Sequence, residues 1–216
     1  AGRVGTGQVS EIAFAVSSAS IGDWLVRALN RKVAVEGPVR EFGEPVLRLK
    51  DPDGIIVKLV GVNDTKQTAS ARPGPSVGRL RAVTILTGDP EQTSAFLRRF
   101  GYQAGSQVGN IRRMVSKTDA VDVRDASGYV PGIPGTGTAD HVAFRAADVA
   151  AVRATEAELS ALNSSPTTVH DRKYFTSLYV REPGGTLFEL ATDGPGFTVD
   201  EPLDRLGETL FMPPRD

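Results

Sequence analysis

The chain has 216 residues, 40% of them hydrophobic and none of them cysteine, so it is long enough to bury a core without disulfides or a structural metal. The missing thiols exclude disulfides, thiolate-bound zinc, iron–sulfur clusters and thiol nucleophiles. Lys+Arg 25 against Asp+Glu 26 leaves no global field to draw the chain onto nucleic acid or an anionic membrane, and no uncharged apolar run approaches the roughly 18 residues that span a bilayer.

In chain order, Ala1-Gly2-Arg3-Val4-Gly5-Thr6-Gly7 has neither an initiator Met nor the apolar centre of a signal peptide, so the chain is expected to continue from sequence upstream and to reside in the cytoplasm. Val9 to Val16 reads as a strand, followed by a polar break and a helix-compatible stretch. Leu47 to Leu59 predicts two alternating strands around Asp51-Pro52-Asp53-Gly54, where Pro presets φ and Gly supplies the positive φ of a tight hairpin. Asn63–Gly78 reads as a linker. Ala82 to Leu86 is the next strand, Asp89-Pro90 a helix start, Glu91 to Phe100 a helix and Gly101 its stop. Ile111 to Val115 and Ala120 to Arg124 are further strands, and Ser127–Thr138 is a second linker. Ala139 to Arg145 predicts a strand before another helix-compatible stretch, and Leu178 to Leu190 a second hairpin around Glu182-Pro183-Gly184-Gly185. The Pro-rich tail from Asp193 is expected to wrap the surface with one short helix near Leu203–Gly207.

These elements repeat. Leu47–Leu59 lies parallel to Leu178–Leu190 over 13 positions, and Glu11-Ile12-Ala13-Phe14 matches His141-Val142-Ala143-Phe144, with a weaker copy between them. The expectation is an α+β fold of three strand–helix–strands modules, residues 7–62, 78–125 (degenerate) and 138–192, followed by the tail 193–216.

The repeat isolates two positions. Where the scaffold pattern is kept, Glu11 becomes His141 and Lys58 becomes Glu189. Glu189 lies among Leu187, Phe188 and Leu190, where a buried carboxylate requires a metal or a partner charge; the alternative is a solvated strand residue on a one-sided sheet. With His141 at the matching end of the same module, the pair reads as metal ligands. Only one other histidine exists, His170; it is read as substrate-lining or solvent-facing, with a self-contained His141, His170, Glu189 triad as the alternative. No Gly-x-Ser-x-Gly or phosphate-binding loop is present, and Arg98, Arg99, Arg112 and Arg113 lack the interleaved aromatics of a nucleic-acid surface.

The runs Asp140-His141-Val142-Ala143-Phe144-Arg145, Asp171-Arg172-Lys173-Tyr174-Phe175, Tyr179-Val180-Arg181-Glu182-Pro183-Gly184-Gly185, Phe188-Glu189-Leu190-Ala191-Thr192 and Asp193-Gly194-Pro195-Gly196-Phe197 resemble the vicinal oxygen chelate superfamily of glyoxalase I, bleomycin-resistance proteins and extradiol dioxygenases. Within it the chain is most similar to the glyoxalase-like ring-cleaving dioxygenases of hydroquinones. The resemblance implies tandem βαβββ modules forming curved mixed sheets. It also implies a mononuclear Fe(II), or Mn(II), held by two His and one Glu, which binds an aromatic diol together with dioxygen. His141 and Glu189 fall on two ligand positions. Tyr179 and Arg172 fall on those of the substrate-side acid/base and anion-stabilising residues. Asp140 stands where relatives often carry a histidine. The third ligand is expected upstream of Ala1, so the chain alone should hold metal weakly, and a second copy could cover the apolar face or sheet edge left open. The expected activity is Fe(II)-dependent extradiol-type cleavage of a hydroquinone or catechol-like ring; the alternatives are a metal-free binding protein of the same fold and a glyoxalase-type isomerase or lyase.

Overall fold

A computed structural model describes residues 1–63, 76–164 and 166–211. The chain divides into two units, Ala1–His141 with Glu182–Thr186, and Val142–Arg181 with Leu187–Asp216.

The first unit is built on one mixed eight-stranded sheet in the order β2-β3-β4-β1-β5-β8-β7-β6. Its strands are β1 (Gln8–Ser17), β2 (Val35–Glu41), β3 (Glu44–Lys50), β4 (Ile56–Val62), β5 (Leu80–Thr87), β6 (Gln103–Val108), β7 (Ile111–Val115) and β8 (Ala120–Asp125). β1 runs parallel to β4, β5 runs parallel to β8, and β1 meets β5 antiparallel, so two ribbons join through their first strands. Small side chains face one another at the junction, with Ala13 opposite Ala82. The sheet curls strongly. Glu44 on β3 and Arg113 on β7 are five strand spacings apart in the sheet order, a separation of about 24 Å were it flat, yet their side chains meet at 3.2 Å.

Helix α1 (Ile21–Asn30) packs Ile21 against Val16, Leu47 and Leu59, with Trp24 and Leu25 beside them. Helix α2 (Pro90–Leu97) begins as the Asp-Pro pair predicts: Asp89 accepts from the Gln92 amide and Pro90 takes the first helical position. Its last turn tightens to a 3-10 turn at Arg98–Phe100, and Gly101 ends it at φ +84°.

Both hairpin turns are five-residue loops that use their acidic residue in the same way. Asp51 accepts from the amides of Asp53, Gly54 and Ile55, and Glu182 from those of Gly184 and Thr186. Gly54 and Gly185 sit at φ +103° and +102°, the left-handed conformation expected of the turn glycine.

The second unit is a four-stranded sheet, order β10-β11-β12-β9, from β9 (Val142–Ala146), β10 (His170–Asp171), β11 (Phe175–Arg181) and β12 (Leu187–Pro195). Helix α3 (Val149–Ala161), capped by the Asp148 side chain on the Ala151 amide, buries Val152 and Leu159. The buried sheet residues Val142, Phe144, Leu178, Val180, Phe188 and Leu190 share one face by register, with the Phe144 and Phe188 rings edge to face at 4.8 Å. β9 lies at one edge of this sheet and runs parallel to β12.

Several expectations shift. The strand expected from Ala139 begins at Val142, so His141 immediately precedes β9 rather than lying within it. The short tail helix is a 3-10 turn at Leu203–Arg205. β6 has no counterpart in the sequence reading because every residue of Gln103–Val108 is exposed and no apolar alternation marks it. Apart from its ends, the expected linker Asn63–Gly78 lies outside the described residues, as do the last five residues of the tail.

Candidate active site

The face of the second unit's sheet opposite the Phe144–Phe188 core carries the polar residues. Alternation along β11 and β12 puts Ser177, Tyr179 and Glu189 on that face, and cross-strand register sets Tyr179 directly opposite Glu189. On the other side of Glu189 stands Ala143 of β9, whose small side chain leaves the carboxylate room. Glu189 is only 5% exposed, so the solvated-strand reading of this residue does not hold.

Tyr179 is bound to this carboxylate. Burial raises the phenol above its ordinary range, the hydrogen bond to Glu189 raises it further, and the nearby Arg172 cation works in the opposite direction. The Arg172 guanidinium carbon lies 5.9 Å from the Tyr179 ring centre, and the His170 ring lies 6.2 Å from it. His170 reaches this position through β10, where it pairs with Ser177. The second unit therefore gathers Glu189, Tyr179, Arg172 and His170 within one neighbourhood, with a proton-bearing phenol between a carboxylate and a cation.

In the first unit, His141 is half-buried and its Nδ1 lies 2.9 Å from Asp140 Oδ2. With the proton on Nδ1 and donated to this carboxylate, the ring is held in the tautomer that presents Nε2 as a lone-pair nitrogen. Asp140 itself is largely exposed. Among the described residues, no group of three or more His, Cys, Asp or Glu comes together in a way that could hold a metal.

The first unit shows what the matching positions become without such a role. Ala13 pairs with Lys58 just as Ala143 pairs with Glu189, and Lys58 Nζ lies 2.7 Å from Glu11 Oε2, with both residues 2% exposed. Arg48, at the position matching Tyr179, bonds Glu11 at 2.7 Å and also reaches Glu41, which lies 3.0 Å from Lys58. Thr84 donates to Glu11, Arg124 stands 3.4 Å away, and a second cluster joins Arg113 to Asp122 and both Arg113 and Arg81 to Glu44. Burial alone would push the Glu11 carboxyl up, but Lys58, Arg48 and Arg124 outweigh it and bring it down to about 2. Sequence reasoning missed this network. Charges at alternating strand positions look like a solvated face, and only the strand pairing and curl of the sheet reveal them as paired.

Residues 79–190 match the Glyoxalase/Bleomycin resistance protein/Dioxygenase superfamily. The chain is 33% identical over 222 residues to "Putative ring-cleaving dioxygenase MhqE" of Bacillus subtilis, a match covering 98% of this chain and 72% of that protein. It is 28% identical over 231 residues to the chlorohydroquinone/hydroquinone 1,2-dioxygenase of Sphingobium indicum, covering 99% of this chain and 71% of the relative. A crystal structure named "putative dioxygenase from Bacillus subtilis subsp. subtilis str. 168" superposes with a TM-score of 0.89 at 28% identity, over 99% of this chain and 71% of that one. Curled mixed sheets, a match over more than half the length and relatives aligned along nearly the whole chain together place this protein in the Glyoxalase/Bleomycin resistance protein/Dioxygenase superfamily.

Proposed function

We propose that the chain is a metal-dependent ring-cleaving dioxygenase acting on a hydroquinone or catechol-like aromatic, with Fe(II), or Mn(II), as its metal and extradiol-type chemistry. The observation that carries this reading is the buried Glu189 carboxylate bonded to the half-buried Tyr179, with Arg172 near the phenol ring. The printed names of the relatives supply the reaction class.

The residues fit such a metal in kind: a buried carboxylate on β12, and an imidazole whose far nitrogen is oriented by Asp140. His141 stands two residues before Ala143, the register partner of Glu189. His141 and Glu189 would hold the ion as two of its ligands, and the bound metal supplies a centre at which the diol oxygens and dioxygen exchange electrons. The chain's own residues do the rest. Tyr179 holds a proton at its phenol oxygen against Glu189 and can pass it to or from a substrate hydroxyl, and Arg172 stabilises the phenolate form of the substrate. Asp140 keeps the His141 ring in place.

The competing reading is a metal-free binder of the same fold. Oxygen uptake with hydroquinone after Fe(II) loading separates the two. The dioxygenase reading expects uptake that falls by about a hundredfold or more in Glu189→Gln and His141→Ala and by about tenfold or more in Tyr179→Phe. Metal content is measured alongside and should fall in the first two variants only. Hydroquinone binding without oxygen uptake at any metal loading would favour the binder and overturn the proposal.

A further inference from the structure

Arg172 sits on an exposed three-residue connection between β10 and β11, a place where a long cationic side chain has many rotamers and little to hold it. Local bonds shape the connection. Asp171 accepts from the Lys173 amide at 2.8 Å, the Arg172 amide donates to the Phe175 carbonyl at 2.9 Å, and the Tyr174 amide donates to the Arg172 carbonyl at 2.8 Å. Lys173 adopts φ +66°, a left-handed conformation that costs a non-glycine residue free energy unless its surroundings impose it.

The tail of the same unit imposes it. Asp200, directly after the 3-10 turn Phe197–Val199, places one carboxylate oxygen 2.6 Å from Lys173 Nζ and accepts the Tyr174 hydroxyl on the other. The Phe197 ring lies 4.9 Å from the Tyr174 ring, and the Gly196 amide donates to the Tyr174 carbonyl at 2.8 Å. The Asp200 side chain is 13% exposed although Lys173 is 55% exposed, so the loop closes over the carboxylate. These bonds to Lys173 and Tyr174 hold the Asp200 carboxyl below the usual carboxylate range.

We infer that Asp200 is a positioning residue: by clamping Lys173 and Tyr174 it fixes the loop that carries Arg172 and keeps the guanidinium over Tyr179. This rests on the reading of Arg172 and Tyr179 as substrate-side residues. The mechanical link is short, because the Arg172 backbone is bonded to Tyr174 of the clamped pair and to Phe175 next to it. The clamp acts only through Arg172, so its loss should matter only while Arg172 is present.

A double-mutant cycle with the full chain tests this. Asp200→Ala is expected to lower kcat/KM for hydroquinone by about tenfold, chiefly through KM, and to cause no further drop once Arg172→Ala is in place. A merely structural role gives equal losses in both backgrounds and would overturn the proposal. Amide exchange supplies a readout independent of activity: Arg172 and Tyr174 should exchange faster in Asp200→Ala while Leu178 and Leu190 in the β11–β12 ladder stay protected. Unchanged exchange in the loop refutes the clamp. If Asp200→Ala does not fold, Asp200→Asn, which keeps the shape and loses the charge, is read by the same two measurements. If the unaltered chain does not turn over hydroquinone, the dioxygenase reading fails, and the exchange pattern alone decides the clamp.

Discussion

Glu11→Gln removes one charge from the most heavily paired position of the first unit and leaves its volume in place. The Glu11 carboxyl is held at about 2 against an ordinary 4.5, a gap of about 2.5 pH units, worth about 3 kcal/mol of stability at neutral pH at about 1.4 kcal/mol per unit. Gln leaves Lys58 with Glu41 as its carboxylate partner, and Arg48 likewise. The sign follows from the depressed folded-state value: the contribution is fully present above pH 4.5 and drains away as pH falls from 4.5 toward 2. Urea unfolding of the unaltered chain and of Glu11→Gln in parallel should therefore show a gap of about 3 kcal/mol at neutral pH, narrowing to about 2 kcal/mol near pH ~3.5. Trp24, the single tryptophan, packs beside the first unit's apolar cluster and reports the transition by fluorescence. A gap below about 1 kcal/mol at neutral pH, or one that stays constant with pH, would refute the account of the network as a net stabilising one.

Phe188→Ala, which empties a fully buried position against Phe144, should cost about 3–5 kcal/mol in chemical denaturation and weaken the near-ultraviolet aromatic signal. Asp148→Ala, which removes the acceptor of the Ala151 amide at the start of α3, should cost about 1 kcal/mol, and Asp148→Asn should recover most of it. Thermal unfolding of the three proteins checks that order.

The α+β class and the repeat were legible because their signals are local. An acidic residue followed by Pro and a trailing Gly specifies a loop whose amides need an acceptor and whose glycine needs positive φ, and Asp51–Gly54 and Glu182–Gly185 both deliver this. The Tyr179–Glu189 juxtaposition was legible for the same reason, since a five-residue hairpin loop fixes which residues face across it. What stayed hidden depends on distant register. Arg113 reaches Glu44 only once the sheet has curled, and Lys58 meets Glu11 only once β4 has paired with β1, so nothing in the spacing of those residues announces either bond; Arg113 and Asp122, by contrast, face each other directly across the short turn between β7 and β8. The clamp by Asp200 was hidden likewise, because 26 residues separate it from Tyr174 along the chain.

The charge network also constrains how such a repeat can change over generations. Five cations, Arg48, Lys58, Arg81, Arg113 and Arg124, share four carboxylates: Glu11, Glu41 and Glu44 each serve more than one base, and Asp122 serves Arg113 alone. Losing any base except Arg113 leaves every acid partnered, and losing Glu11 or Glu44 takes from Arg124 or Arg81 its carboxylate in this network. Lys58→Glu would set a second carboxylate against Glu11 where an ammonium now stands at 2.7 Å, so the residue type of Glu189 fits this position only after Glu11 has changed, a step that leaves Lys58 its bond to Glu41.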